Sequence, residues 1–242
     1  MFTVEERDAV RGRLLELAHD DPAVSAAAIT GSAAAGSADR WSDIDLAFGI
    51  QGDLSRALLH WTSVLYAEFA ALHHWDLPFE SSIYRVFLLP GCLEVDIAFT
   101  PESDFGARSP SFQTVFGEPV DVPPPEPPAF ADVAGLGWLG LLHASKAIER
   151  GRPWEAAYWI ASVRDQTLAL ACLRLGESPH YSRGADALPT GITAALEETL
   201  VSAPRAGELR RALRAARQCL LEEIGHADTT LADRLEHALA GG

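Results

Sequence analysis

The chain has 242 residues, 48% hydrophobic and 22% charged, with 34 Asp and Glu against 19 Lys and Arg, for a formal net charge of -15. Those proportions exclude an intrinsically disordered chain, and the acidic balance opposes the phosphate backbone of nucleic acids while suiting cationic partners. No run approaches the ~20 apolar residues of a membrane span, and an N-terminal segment carrying Glu5, Glu6 and Asp8 is not a secretion signal, so a cytoplasmic protein with neither nucleic-acid nor membrane partners is expected.

Thr3 followed by Glu6 has capping-box spacing, and Val10, Leu14, Leu15 and Leu17 recur at helical intervals, predicting an opening helix to about Asp20. Asp21-Pro22 ends it. Residues 24–30 read as a short buried strand, although their alanines suit a helix equally well by propensity. Gly31-Ser32 begins a flexible segment reaching Gly36 and Ser37, and a strand pattern resumes over 43–50 with Ile44, Leu46 and Phe48 on one face. Residues 54–73 fit a helix. Residues 82–89 and 93–100 are rich in β-branched and aromatic side chains, and Pro90-Gly91 between them predicts antiparallel strands joined by a tight turn.

The first part, 1–118, is therefore expected to be an α/β (α+β) domain with a mixed sheet. The segment 119–129, with Pro123-Pro124-Pro125 and Pro127-Pro128, cannot continue a helix or a central strand and reads as a stiff linker. From 130 to 242 the pattern is helical, over 136–149, 154–175, 191–200, 208–224 and 230–239, which predicts an all-α helical-bundle domain. Cys92, Cys172 and Cys219 have neither disulfide nor zinc spacing and read as buried thiols.

The chemistry concentrates in Gly31-Ser32, Gly36 and Ser42-Asp43-Ile44-Asp45-Leu46. Successive strand side chains alternate faces, so Asp43 and Asp45 project to one side while Ile44 and Leu46 enter the core. An isolated Asp-x-Asp reads as a solvated turn. Two carboxylates sharing a site repel each other unless a cation lies between them, and hard oxygen ligands suit Mg²⁺ bound jointly with substrate phosphates. Upstream, Gly31 lets the backbone approach a ligand closely, and Ser32 offers a hydroxyl and a backbone donor at a helix start, which favours a phosphate.

Taken together, Gly31, Ser32, Gly36, Ser42, Asp43 and Asp45 resemble the signature of the DNA polymerase β-like nucleotidyltransferase superfamily: Gly-Ser, a short helix, then Asp-x-Asp on the next strand. The resemblance implies a third carboxylate on a later strand. Leu93-Glu94-Val95-Asp96-Ile97 offers Asp96, whereas Glu94, on the same face, reads as a strand-end charge. It further implies that the paired acids hold two Mg²⁺ ions on a nucleoside triphosphate, ATP being the expected one. Asp96 would complete the metal site or act as base, and Gly31, Ser32 and Ser42 would bind the nucleotide.

The second half is similar to the helical domains of small bacterial nucleotidyltransferases that modify aminoglycosides and lincosamides. The residues concerned are Lys146, Pro153-Trp154-Glu155-Ala156-Ala157-Tyr158-Trp159 and Arg164-Asp165. Lys146 and Arg164 are candidates for the nucleotide phosphates, against the commoner roles of a solvated charge or an interhelical ion pair. Trp154, Tyr158 and Trp159 read as core aromatics, and His143 as a satisfied helix histidine.

The expected activity is transfer of AMP from ATP to a hydroxyl of a small cationic molecule such as an aminoglycoside or a lincosamide antibiotic, with release of pyrophosphate. A protein-modifying, toxin-neutralising nucleotidyltransferase is the alternative enzyme, and a nucleotide-sensing module without turnover the alternative outside catalysis. Metal-dependent pyrophosphate release separates the two classes.

Overall fold

In the computed structural model, which describes residues 1–239, the first helix is fixed at its start by its own sequence. The Thr3 hydroxyl accepts from the Glu6 N–H at 3.1 Å and Glu6 Oε2 accepts from the Thr3 N–H at 2.7 Å, a reciprocal cap on α1 (Val4–Asp20). The alanine run that follows is a strand, β1 (Val24–Thr30). Pairing overrides propensity here: β1 lies between β2 (Ile44–Ile50) and β6 (Phe112–Phe116), and Ala26, Ala27 and Ala28 are buried. A one-turn helix, α2 (Gly31–Ala34), separates β1 from β2.

After α3 (Leu54–Glu68) come β3 (His73–Phe79), β4 (Ser82–Leu89) and β5 (Leu93–Pro101), giving a six-stranded sheet in the order β3-β4-β5-β2-β1-β6. β2 and β5 are parallel and every other pair is antiparallel, so the sheet is mixed. One face, with Leu46, Phe48, Val95, Ile97 and Phe99, packs on Leu14 and Ala18 of α1 and on Trp61 and Leu65 of α3. Each such buried side chain contributes roughly 1.5–3 kcal/mol. The other face is built from small residues, Ala26, Ala28, Ala47 and Ala98, around Phe105.

Two expectations are corrected, and one strand is added. The helix predicted over 54–73 stops at Glu68: the Phe69 and Ala71 N–H groups both donate to the Leu65 carbonyl, at 3.2 and 3.1 Å, and Ala70 takes φ +53°. Residues from His73 onward instead form the edge strand β3, where Pro78 is tolerated. Pro90–Cys92 is a short 3-10 turn, and Cys92 is exposed where a buried thiol was expected. β6, the opposite edge strand, was not read from the sequence at all.

Residues 117–129 form neither helix nor strand, and the chain divides into two units, Met1–Pro125 and a second from Glu126 onward. The second is all-helical: α4 (Phe130–Glu149), α5 (Pro153–Leu175), α6 (Thr190–Glu197), α7 (Ala206–Ala227) and α8 (Thr229–Leu239). α4 begins six residues before the predicted 136, and two of its glycines, Gly137 and Gly140, sit at close crossings. A Cβ at Gly137 would stand 2.7 Å from Leu220 Cδ1, so the absent side chain lets α4 approach α7. Arg174 on α5 and the buried Glu223 on α7 form a two-pronged ion pair at 2.7 and 3.0 Å. Among the described residues no helix is long and apolar enough to cross a membrane.

Candidate functional site

Strand alternation puts Ile44, Leu46 and Phe48 of β2 into the core and leaves Asp45, half-buried, on the opposite, small-residue face. β5 repeats the pattern: Val95, Ile97 and Phe99 are fully buried, and Glu94 and Asp96 lie on the other side. The parallel register sets Asp45 directly beside Asp96. Asp43 precedes β2 by one residue and is also half-buried.

These acids perturb one another. Burial first, then the charges of Asp45, Glu94 and Asp43, push the Asp96 carboxyl up to about 7. Glu94 is exposed overall, yet desolvation by its neighbours, followed by the charges of Asp43 and Asp45, also raises it. The Tyr84 hydroxyl on β4 is raised by burial and then by Asp96. Asp96 Oδ1 is buried without a hydrogen-bond partner, an arrangement that native interiors rarely keep without a ligand or a catalytic role.

Gly31 connects the Gly-Ser turn to this cluster. Its φ is +62°, and a Cβ placed there would fall 2.0 Å from Asp45 Oδ2, so only glycine leaves room for the Asp45 carboxylate against the turn. Ser32 follows in α2, and its carbonyl accepts from the Ser37 N–H at 3.0 Å, closing the loop. Ser42, expected at the nucleotide, has its hydroxyl engaged in a turn: it accepts from the Asp39 N–H at 2.9 Å and donates to Asp39 Oδ1 at 3.1 Å. The Trp41 N–H and then the Ser42 hydroxyl hold the Asp39 carboxyl below its usual range.

Sequence reasoning missed Arg7. Although charged, it is 4% exposed, and its guanidinium donates to the carbonyls of Asp39 and Ser42, clamping the segment that delivers Asp43. A charged residue on an amphipathic helix ordinarily reads as solvated, and the only sequence signal was its place among the apolar positions of α1.

The donor set of Asp43, Asp45 and Asp96 fits a hard divalent cation: acceptor-only oxygens, mutual repulsion that a cation would relieve, and one buried oxygen lacking a partner. Their side chains nevertheless do not converge: among the described residues no three His, Cys, Asp or Glu groups stand gathered as a metal site.

The helical unit holds the remaining candidates. Lys146 on α4 is exposed and makes no ion pair among the described residues; Arg164 on α5 is half-buried, and the neighbouring Asp165 carboxyl is raised by burial, an effect the Arg164 charge offsets only in part. Trp154 and Tyr158, expected in the core, are 77% and 66% exposed because they lie on the solvent side of α5. Trp159 is half-buried and stacks on His143 with ring centroids 4.7 Å apart.

Comparison with known proteins finds no matching family model and no matching curated protein. Among solved structures the chain is similar to an aminoglycoside 6-adenyltransferase from Bacillus subtilis, at 12% identity and a TM-score of 0.41, over 99% of this chain and 92% of that one.

Proposed function

We propose that this chain is a metal-dependent nucleotidyltransferase that moves AMP from ATP to a hydroxyl of a small cationic molecule, of the aminoglycoside or lincosamide kind, and releases pyrophosphate. The observation that carries the reading is the alignment of Asp45 with Asp96 on parallel strands, with Asp45 seated against the Gly31 turn. It joins two carboxylates and a glycine turn, with Asp43 one residue ahead of β2, in the order that the nucleotidyltransferase signature combines them.

In this reading Asp43, Asp45 and Asp96 are the residues that would hold Mg²⁺, which when bound would offset charge on the triphosphate and polarise the α-phosphate. Gly31 and Ser32 bind the triphosphate through the turn. The acceptor oxygen attacks the α-phosphorus in line, the bond from that phosphorus to the bridging oxygen of the β-phosphate breaks, and the hydroxyl proton passes to Asp96. The negative net charge favours a cationic acceptor over a polyanionic one.

The test is pyrophosphate release by the full chain with MgATP and a panel of aminoglycosides and lincosamides, with the Asp43→Asn, Asp45→Asn double variant as control. Acceptor-dependent release that vanishes in the variant supports the reading. No release with any acceptor, despite metal-dependent ATP binding, turns it toward a protein acceptor or a nucleotide-sensing module.

A further inference from the structure

The register of four neighbouring strands draws a line across the sheet. Asp45 lies beside Asp96, Asp96 opposite Val86, and Val86 opposite Trp75, so β2, β5, β4 and β3 present these four residues on one face. On one side of that line Glu94 faces Leu88, and on the other Ala98 faces Tyr84, which faces Leu77. Trp75 is 62% exposed, Leu88 43% and Leu77 41%, so the acids border a shelf of large apolar side chains open to solvent.

The opposite face of β3 is already in use. Asp76 takes a two-pronged ion pair from the buried Arg85, and His74 hydrogen-bonds the Tyr66 hydroxyl at 3.1 Å. Neighbouring strands lie ~4.8 Å apart, which puts Trp75 on the order of 10 Å from Asp96, the reach of a two-ring molecule.

We propose that Trp75, Leu77, Val86 and Leu88, with Glu94, form the acceptor subsite, and that its ligand is an amphipathic cation. The inference rests on the function proposed above. The ammonium sits at Glu94, where charge is complementary; the hydroxyl points to Asp96; and the apolar flank covers the shelf as far as the Trp75 indole. Covering exposed apolar side chains beside a charged site is favourable only for a ligand with an apolar flank of its own. A wholly polar polycation satisfies the acids and leaves the shelf wet, so the shelf selects against it.

The experiment compares lincomycin, an amphipathic cation, with kanamycin, a polar polycation, on wild-type full chain and on Trp75→Ala and Glu94→Gln. Acceptor kinetics with MgATP are read beside calorimetric binding without nucleotide. Trp75 is exposed, so its replacement leaves the fold intact. In the expected result Trp75→Ala raises both KM and Kd for lincomycin about tenfold, with KM for ATP and the response to kanamycin unchanged, while Glu94→Gln weakens both acceptors. Lincomycin binding that depends on Trp75 without any pyrophosphate release upholds the subsite and rejects the transferase reading. Acceptor-dependent release that ignores Trp75, or no saturable lincomycin binding, overturns the subsite. A dimer in solution that Trp75→Ala dissociates also overturns it, by making the shelf a self-association surface.

Discussion

Gly31 and Asp45 occupy the same space as nearly as two residues can: the hydrogen of Gly31 points where a Cβ would stand 2.0 Å from Asp45 Oδ2, and the glycine holds φ +62°. Gly31→Ala therefore meets two obstacles, a left-handed backbone and a displaced carboxylate. The expected outcome is a stability loss of about 1–2 kcal/mol and a fall in turnover of at least about a hundredfold. Thermal melts beside pyrophosphate release check it; full turnover in the variant would separate Asp45 from the chemistry.

Asp96 makes the metal-free protein pH-sensitive. Its carboxyl titrates at about 7 in the folded chain and at about 4 when unfolded, so the folded state binds the extra proton between those values. Stability is greatest below about pH 4 as far as this group is concerned, falls as pH rises to about 7, and is level above, a change on the order of 2–4 kcal/mol. Asp96→Asn flattens that slope, and Mg²⁺ stabilises the wild type more at pH 8 than at pH 6. Denaturant melts across pH with and without Mg²⁺ check both signs.

Arg7 touches no candidate ligand, yet it holds the carbonyls of Asp39 and Ser42 from a buried position. Arg7→Ala leaves the Ser42 carbonyl without a partner and the Asp39 carbonyl with only the Ser42 N–H at 3.4 Å, at about 1–3 kcal/mol, and frees the segment before Asp43. The expected signature is a raised Mg²⁺ requirement for turnover. Arg7→Lys restores stability only in part, since one ammonium nitrogen replaces the two guanidinium nitrogens that hold the carbonyls through Nη1 and the Asp8 carboxylate through Nε. A Mg²⁺ titration of each variant measures the effect.

Glu223 is 6% exposed and paired to Arg174. Arg174→Met leaves the buried Glu223 without its counter-charge and is expected to cost about 2–3 kcal/mol, lowering the melting temperature. A double variant with Glu223→Leu recovers part of the loss, which a double-mutant cycle by denaturant unfolding would measure.

Much of this protein is legible in local pattern. Thr3 and Glu6 announce the first helix, period-two alternation puts Asp43 and Asp45 opposite Ile44 and Leu46, and the same alternation picks out Asp96 between Val95 and Ile97. These signals need only neighbours along the chain. The edge strands β3 and β6 were missed because half of an edge strand's pairing, and in β3 one proline, give it a weak composition of its own.

What the tertiary structure alone decided is who stands beside whom. No local pattern states that β2 lies parallel to β5 with Asp45 against Asp96, that Arg7 turns inward to hold the Asp39–Ser42 turn, or that Trp75 shares a line with the acids. Strand register is set by burying whole hydrophobic faces against distant elements, and one residue of slip would move every side chain to the other face. The sequence by itself determined which side chains are candidates for the chemistry; the packing of α1 and α3 under the sheet set Asp45 beside Asp96.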